Sequence, residues 1–293
     1  MEVIRAETLG FCPGVRRAVE LAEKAAIDAK TSARKAWVLG DIVHNPRVTS
    51  RLAALGMARL DNEDGSIAPE RLVPGALQGS MVVIRSHGAA PDIIKAIKAA
   101  GAEVIDATCP KVAANQKAAA TQAAAGRLVI VAGDKGHGET LGVAGHAPGS
   151  IIVSSANEAA SLPFDRPMAL VAQTTFSEDE YIAIRELIVS RQPDLFDAGG
   201  ICSSSRKRRA AVLAFKGRVD AIVVVGGLNS ANTKRLAELA ASLGVKTLHA
   251  EKAGDIDASF SAYKNIGLSA GASTPDEDID EAKDRLLSLA NKK

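Results

Sequence analysis

Three short apolar runs recur at regular intervals and set the organisation of the chain. With their glycine turns they occupy residues 37–41, 129–134 and 222–227. Successive turn glycines are 93 residues apart: Gly40, Gly133 and Gly226. A polar side chain stands four residues after each glycine: His44, His137 and Ser230. Similarity at so long a period predicts a small repeated domain, because the repeats of solenoids are shorter.

Each third of the chain also carries a second apolar run with a polar end, and helical periodicity lies between the runs. The second runs lie at residues 82–87, 169–175 and 266–273. Helical patterns are predicted near residues 14–30, 46–55, 92–100, 111–125, 178–190, 206–216, 231–243 and 277–290. Strands that alternate with helices predict α/β domains with mainly parallel sheets. In such sheets ligands bind beyond the carboxyl ends of the strands.

Three cysteines divide the chain into near-equal thirds. Cys109 follows a short apolar run and precedes Pro110, a residue suited to the first turn of a helix. Cys12 also precedes a proline, and Cys202 follows a glycine turn. If the thirds pack around a pseudo-three-fold axis, the cysteines and the polar strand-end residues converge on one central site. Three strung domains that reflect duplication alone are the alternative arrangement.

Composition narrows the class of protein. The 293 residues are 47% apolar but only 3% aromatic, so the core is predicted to consist of Ala, Val, Leu and Ile. A net charge of +2 is too small to argue for a nucleic-acid or membrane partner. No apolar run approaches the ~18 residues of a membrane helix, and the N-terminus lacks a signal-peptide layout, so a cytoplasmic location is expected. In that compartment widely spaced cysteines are metal ligands, catalytic groups or buried thiols more often than disulfides.

The cysteines allow two kinds of metal centre. Zinc normally takes a fourth protein ligand or a water. A cubane iron–sulfur cluster held by three thiolates leaves one iron open to a substrate oxygen. The spacing does not separate these two possibilities, because the clustered spacing of ferredoxins is absent.

Polar residues at the strand ends indicate an anionic ligand. His44, His87 and His137 lie at such ends beside glycines, close to predicted helix starts. Further donors are available at neighbouring positions: Asn45, Ser230, Asn232 and Ser273. Together with helix N-terminal N–H groups they suit an anion such as diphosphate. Glu139, two residues after His137, could relay protons.

Two other features are interpreted as structural. His146 has no counterpart in the other thirds and is predicted to have a structural role. The basic run at residues 206–209 is interpreted as a solvated helix start that could face an acidic partner, although positive charge there opposes the helix dipole.

Taken together, these motifs resemble the LytB family, the 4-hydroxy-3-methylbut-2-enyl diphosphate reductases of the non-mevalonate isoprenoid pathway. The resemblance covers essentially the whole chain. The matching segments occur in the family's order: residues 10–18, 43–45, 86–88, 106–110, 136–139, 173–175 and 270–273.

The resemblance implies an architecture and a cofactor. Three α/β domains would form a pseudo-three-fold trefoil around one [4Fe-4S] cluster. The implied domains are residues 14–108, 109–200 and 201–293, with the N-terminal strand of residues 1–13 joining the third. Cys12, Cys109 and Cys202 would be the three cluster ligands, leaving one iron open.

The resemblance also implies roles for the polar residues. The substrate would be a small allylic diphosphate, held by His44, His87, His137, Ser230, Asn232 and Ser273. Glu139 and Thr174 would handle the proton and the substrate hydroxyl. The reaction would be a two-electron reductive dehydroxylation that gives isopentenyl and dimethylallyl diphosphates, with ferredoxin or flavodoxin as the electron donor.

The chain departs from the family pattern in places. Ser204 and Ser205 replace an Ala-Thr pair, and Ser205 could keep the hydroxyl. Ala231 stands where a second serine is usual, and Gly138 stands where the pattern has proline. The main alternative is a divergent LytB-like iron–sulfur protein with another diphosphate substrate or a sensing role. A phosphate-binding α/β enzyme with incidental cysteines is a second alternative.

Overall fold

Three four-stranded sheets, each entirely parallel, form the framework of the protein. A computed structural model describes residues 1–62 and 65–290. The strands are β1 (Glu2–Arg5), β2 (Ala36–Leu39), β3 (Met57–Arg59), β4 (Met81–Ile84), β5 (Glu103–Asp106), β6 (Leu128–Ala132), β7 (Ile151–Val153), β8 (Met168–Ala172), β9 (Phe196–Gly199), β10 (Ala221–Val225), β11 (Lys246–Ala250) and β12 (Asn265–Ala270). The prediction of an α/β fold with three mainly parallel sheets is confirmed.

The sheets share one strand order. The first is β3-β2-β4-β5, the second β7-β6-β8-β9, and the third β1-β12-β10-β11. In each sheet the two predicted apolar runs form the two central strands, with helices on both faces. The N-terminal strand β1 pairs in parallel with β12, so residues from the two ends of the chain share a sheet. The domain boundaries expected from the repeat stay a prediction.

Ten α-helices accompany these strands in the described part of the chain. They are α1 (Pro13–Thr31), α2 (Pro46–Ala54), α3 (Pro91–Ala99), α4 (Pro110–Ala124), α5 (Gly138–Gly145), α6 (Ala156–Ala159), α7 (Glu178–Arg191), α8 (Ser203–Leu213), α9 (Ala231–Ala241) and α10 (Asp276–Ala290). Eight match predicted helical patterns to within a few residues. The sequence missed α5 and α6, because α5 contains three glycines and α6 is a single turn.

The central strands are buried on both sides, and alternate residues feed different cores. In the third sheet Val223 packs into one cluster with α10, whereas Ile222 and Val224 pack into another with α8 and α9. The second sheet repeats this arrangement with Ile130 and Val131. Continuous apolar runs therefore mark the central strands, as expected for parallel sheets covered by helices.

The described residues form two compact units. The first unit comprises Met1–Arg16, His44–Val48 and Cys202–Lys293, and it contains the third sheet. The second unit comprises Arg17–Val43 and Thr49–Ile201, and it contains the first and second sheets. Among the described residues, no helix combines the length and the apolar character needed to span a membrane.

A buried tyrosine and an aspartate fix the end of β9 in the second unit. Tyr181 on α7 donates its hydroxyl to Asp197, Arg185 Nε donates to the same carboxylate at 2.6 Å, and Gly199 N donates at 2.9 Å. Burial alone would raise the pKa of the Asp197 carboxyl, but the hydrogen bonds from Tyr181, Gly199 and Arg185 outweigh burial and hold that pKa below its usual value. Burial and this same carboxylate raise the pKa of Tyr181.

The Asp197 carboxylate should therefore stabilise the protein in a pH-dependent way. Its folded-state pKa lies below the unfolded value of about 3.9, so the stabilisation is present above that value and is lost as the pH falls through the folded-state pKa. We expect Asp197→Asn to lower the urea midpoint at pH 7 and to have a smaller effect at pH 3. Asp165→Asn, at an exposed carboxyl, is the control. An equal loss from Asp197→Asn at both pH values would contradict this assignment.

Candidate active site

Each of the three cysteines immediately precedes a helix that follows a parallel strand or its loop. Cys109 is the N-cap of α4 and Cys202 is the N-cap of α8, while Cys12 directly precedes α1. Their carbonyl oxygens accept the first helical hydrogen bonds, from Ala113 N and Arg16 N among others. All three residues are half-buried. A helix N-terminus favours negative charge, so each cysteine stands at a position suited to an anionic ligand.

In the first unit the Cys12 loop is held from both sides. Cys12 N donates to Ala272 O at 3.3 Å, in the loop that follows β12. Val15 N lies 3.5 Å from Cys12 Sγ and donates to it. The pairing of β1 with β12 explains this contact, because it places the loops that follow both strands at the same edge of the sheet.

In the second unit the Cys109 turn is braced by its neighbours. Cys109 N donates to Ser86 O at 2.9 Å, and Ser86 lies in the loop that follows β4. Thr108 donates both its N–H and its hydroxyl to the Asp106 carboxylate. Arg17 Nη1 donates to Thr108 O at 3.2 Å. The turn that presents Cys109 is therefore fixed by backbone and side-chain contacts before any ligand binds.

A polar group of residues in the first unit includes four of the predicted anion-binding residues. Ser273 Oγ lies 3.4 Å from Ser230 Oγ and 3.5 Å from His44 O. Ser230 is the N-cap of α9 and accepts from Thr233 N. Asn232, on the same helix, is 8% exposed, and its Nδ2 atom has no hydrogen-bond partner among the described residues. A buried amide that lacks a partner fits a ligand acceptor at this position.

Asn45, the neighbour of His44, is committed to the fold. Its Oδ1 accepts from Val48 N at 3.1 Å and caps α2, while its Nδ2 donates to Asp278 Oδ2 at 3.0 Å. Arg47 Nε also donates to Asp278, at 2.5 Å. Asn45 therefore helps to position the segment that carries His44. Its role as a ligand donor stays a prediction.

The predicted histidines of the second unit touch each other. The rings of His87 and His137 lie with centroids 5.1 Å apart and planes at 82°. His137 is the N-cap of α5, and its Nδ1 accepts from Glu139 N at 3.2 Å. An imidazole that accepts at Nδ1 carries its proton on Nε2 when neutral. The His137 ring therefore presents Nε2 as a donor.

Glu139 and Thr174 form a directly bonded pair in the second unit. Glu139 is only 1% exposed. Its Oε1 accepts from Thr174 N at 2.5 Å and its Oε2 accepts from Thr174 Oγ1 at 2.8 Å. The loop after β8 and the first turn of α5 bring the two residues together. A carboxyl group and a hydroxyl in such contact can pass a proton between them.

Two supporting residues, Gln173 and Asn115, were not among the predicted site residues. Gln173 Oε1 accepts from Asp134 N at 2.8 Å and from Thr140 Oγ1 at 3.2 Å, so it ties the loop before α5 to the end of β8. Asn115 Nδ2 donates to Ala172 O at 2.8 Å and to Gly200 O at 3.2 Å. Both contacts join residues far apart in the sequence, and no local pattern signals them.

Gly200 shows why a glycine precedes Cys202. Its φ is +121°, and a Cβ at this position would lie 2.7 Å from Ala172 O and 2.8 Å from Asn115 Nδ2. The backbone approaches the end of β8 too closely for a side chain, so only glycine fits.

The remaining predicted residues are placed as follows. Ser205 lies half-buried in the first turn of α8. The basic run is only partly solvated: Arg206 and Lys207 are exposed, whereas Arg208 is buried. The interpretation of a solvated helix start is therefore wrong for Arg208. His146 Nδ1 contacts Gly142 O at 2.7 Å at the end of α5, which is a structural contact.

The roles assigned to these residues from sequence stay predictions, as does the convergence of the two groups on one pocket. What the geometry defines is a class: an α/β protein whose helix N-termini, beyond the carboxyl ends of parallel strands, are suited to an anionic ligand.

Comparison with known proteins identifies the family. The family model described as LytB protein matches residues 3–287. The chain belongs to the LytB family, and the resemblance seen in the sequence is confirmed.

Similar proteins match over nearly the full length. The chain is 40% identical to the 4-hydroxy-3-methylbut-2-enyl diphosphate reductase of Treponema denticola, with 98% of this chain and 99% of that protein aligned. It is 37% identical to the protein of the same name from Citrifermentans bemidjiense, with 99% and 98% aligned.

A solved structure of the E-1-hydroxy-2-methyl-but-2-enyl-4-diphosphate reductase from Plasmodium falciparum matches with a TM-score of 0.86 at 27% identity, covering 96% of this chain and 86% of that one. A second, described as the terminal enzyme of the non-mevalonate pathway, matches with a TM-score of 0.70 at 34% identity, covering 98% and 100%.

Proposed function

We propose that the chain is an oxidoreductase that converts (E)-4-hydroxy-3-methylbut-2-enyl diphosphate to isopentenyl and dimethylallyl diphosphates. The allylic C–O bond breaks, two electrons and two protons are consumed, and the oxygen leaves as water. The strongest support is the near-complete alignment with relatives named 4-hydroxy-3-methylbut-2-enyl diphosphate reductase. The buried Glu139–Thr174 pair supports it independently, because it offers a proton source to a departing hydroxyl.

LytB proteins are iron–sulfur proteins, and we infer that Cys12, Cys109 and Cys202 hold one [4Fe-4S] cluster with one iron lacking a protein ligand. When bound, the cluster supplies the electrons. The residues present suit such a group, because each cysteine stands at a helix N-terminus that favours negative charge. The buried guanidinium of Arg208, which has no carboxylate partner in the described part of the chain, also suits an anionic centre.

The diphosphate is assigned to the polar residues at the strand ends. Ser230, Ser273 and Asn232 offer hydroxyl and amide donors, and His137 offers its Nε2 proton. The remaining donors of the proposed set are His44, His87 and Ser205. Hydrogen bonds to a charged oxygen are worth about 1.5–3 kcal/mol each, so a few such donors are enough to hold a diphosphate.

Glu139 is assigned the proton, and Thr174 the contact with the substrate hydroxyl. In the structure Thr174 Oγ1 donates to Glu139. When Glu139 is protonated, the hydroxyl rotates, accepts the Glu139 proton and donates its own to the substrate oxygen, which leaves as water. Burial of the pair excludes bulk water from this route.

We assign the role of electron donor to ferredoxin or flavodoxin, and we place the reaction in the cytoplasm. Arg206 and Lys207 are exposed in the first two turns of α8, directly after Cys202. Positive charge close to a redox centre would attract an acidic electron carrier and guide its docking.

Single replacement of Cys12, Cys109 or Cys202 with serine should abolish stable cluster binding. After anaerobic reconstitution the parent should hold about four iron and four sulfide per chain. Each variant should hold far less, with the folded state checked by circular dichroism. A parent protein that binds zinc and no sulfide would refute the assignment of an iron–sulfur cluster. A parent with a full cluster and no reductase activity would favour the LytB-like sensing or binding role.

Glu139→Gln should lower kcat by about 10²–10⁴-fold and leave iron content and substrate affinity near the parental values, because a general acid acts on the chemical step. Thr174→Val should also lower kcat, and Thr174→Ser should recover most of it, since the hydroxyl is kept. Glu186→Gln, at an exposed position on α7, is the control. Near-parental turnover of Glu139→Gln with a reduced dye as donor would remove Glu139 from the proton route.

Lys207→Glu should raise the KM for ferredoxin or flavodoxin several-fold and leave turnover with a small reduced dye unchanged. The effect should shrink at high salt, because screening weakens interactions between exposed charges. Lys216→Glu, at the exposed end beyond α8, provides the matched control. Equal KM values for the two variants would show that the start of α8 is not the docking surface.

A further inference from the structure

Arg208 differs from the basic residues around it. It lies on α8, six residues after Cys202, and is only 2% exposed. Its neighbours Arg206 and Lys207 are exposed on the same helix. A buried arginine is rare unless its charge is paired, so its surroundings need an explanation.

The guanidinium of Arg208 joins two cysteine-bearing segments of the first unit. Arg208 Nη2 donates to Gly10 O at 2.5 Å, two residues before Cys12. Arg208 Nη1 donates to Ser204 O at 3.1 Å, two residues after Cys202. One rigid planar group thus fixes the backbone beside both sulfurs, a geometry that the flexible ammonium of a lysine does not reproduce.

The charge of Arg208 has no conventional partner. Within residues 1–62 and 65–290 no carboxylate forms an ion pair with it, and its buried Nε has no hydrogen-bond acceptor. Burial lowers the pKa of Arg208, and the charges of Cys12 and Cys202 act in the opposite direction. In the described part of the chain, the sulfurs of Cys12 and Cys202 are therefore the groups left to balance this cation when they are ionised.

An unpaired buried charge is costly, and a partner that is itself anionic removes most of the cost. Thiolates that hold an iron–sulfur cluster carry such a charge. A nearby fixed cation also stabilises an added electron, so it raises the reduction potential of the centre, one of the ways in which a protein tunes a cluster.

We propose that Arg208 is a positioning residue that orients the Cys12 and Cys202 segments and supplies the fixed countercharge that sets the reduction potential of the sulfur centre. This inference rests on the proposed cluster. It concerns the oxidation state of the centre rather than the binding of substrate, and it gives the buried member of the basic run a function separate from its exposed neighbours.

The experiment uses the full-length protein with its cluster reconstituted anaerobically. Two variants separate charge from hydrogen bonding: Arg208→Gln keeps a donor but loses the charge, whereas Arg208→Lys keeps the charge but loses the planar fork. Lys207→Gln removes the same charge from an exposed position of α8 and serves as the control. The reduction midpoint is followed by electron paramagnetic resonance, and iron and sulfide are measured for each protein.

At the parental midpoint potential, Arg208→Gln should show an about tenfold lower ratio of reduced to oxidised cluster, which corresponds to a midpoint about 59 mV lower for one electron. Arg208→Lys should keep a midpoint near the parental value and lose iron faster during gel filtration, because its segments are held less firmly. Lys207→Gln should match the parent in both measurements.

Several results would overturn the inference. One is a midpoint for Arg208→Gln equal to that of Lys207→Gln. Another is loss of the cluster from both Arg208 variants while Lys207→Gln retains it, because the lysine variant still carries the charge. A parent that takes up no iron or sulfide would instead refute the proposed cluster itself, so the two failures are distinguishable.

Discussion

Unsatisfied N–H groups at helix N-termini are the constraint on which the site depends. The first N–H groups of any helix lack intrahelical acceptors, and in a parallel α/β sheet these ends lie beyond the carboxyl ends of the strands. Cys109, Cys202, His137 and Ser230 are all N-cap residues in this protein. The fold therefore presents sulfur, imidazole and hydroxyl groups at the positions where partial positive charge accumulates.

The site is also rigid before a ligand arrives, because its polar groups are held by other polar groups. Gln173 fixes the loop before α5, Asn115 fixes the chain before Cys202, and Asn45 fixes the segment that carries His44. These amides are mostly buried and make hydrogen bonds within their own unit. Preorganisation of this kind lowers the entropic cost of binding a small charged substrate.

Other buried polar groups have no hydrogen-bond partner among the described residues. Asn232 Nδ2 and Arg208 Nε are buried without acceptors among the described residues. Folding alone gains nothing from such groups, since each costs about 1–3 kcal/mol when left unpaired. They are accounted for if an anion completes their environment. In a LytB family member, a diphosphate near Asn232 and a thiolate-bound cluster near Arg208 would be such anions.

Local pattern by itself determined the central strands, most helices and the positions of the three cysteines. Strands such as β6 and β10 are covered on both faces, so their sequences are continuous apolar runs that can be recognised from the sequence alone. The edge strands β3, β7, β9 and β11 were missed because they are short or partly exposed and their residues carry no comparable signal. Motif order, with no structural input, also identified the LytB family.

Only the tertiary structure decided how the polar residues are used. The basic residues at 206–209 indicated one solvated run, whereas packing buries Arg208 against the carbonyl of Gly10, 198 positions away. The contact between Asn45 and Asp278, which joins residues 233 positions apart, has no signal in the local pattern. The sequence named Glu139 as a possible proton relay, and the structure shows that its carboxylate is buried and bonded to Thr174 at the start of α5. Hydrogen-bond partners and burial depend on which distant segments meet in space, and that information is absent from local periodicity.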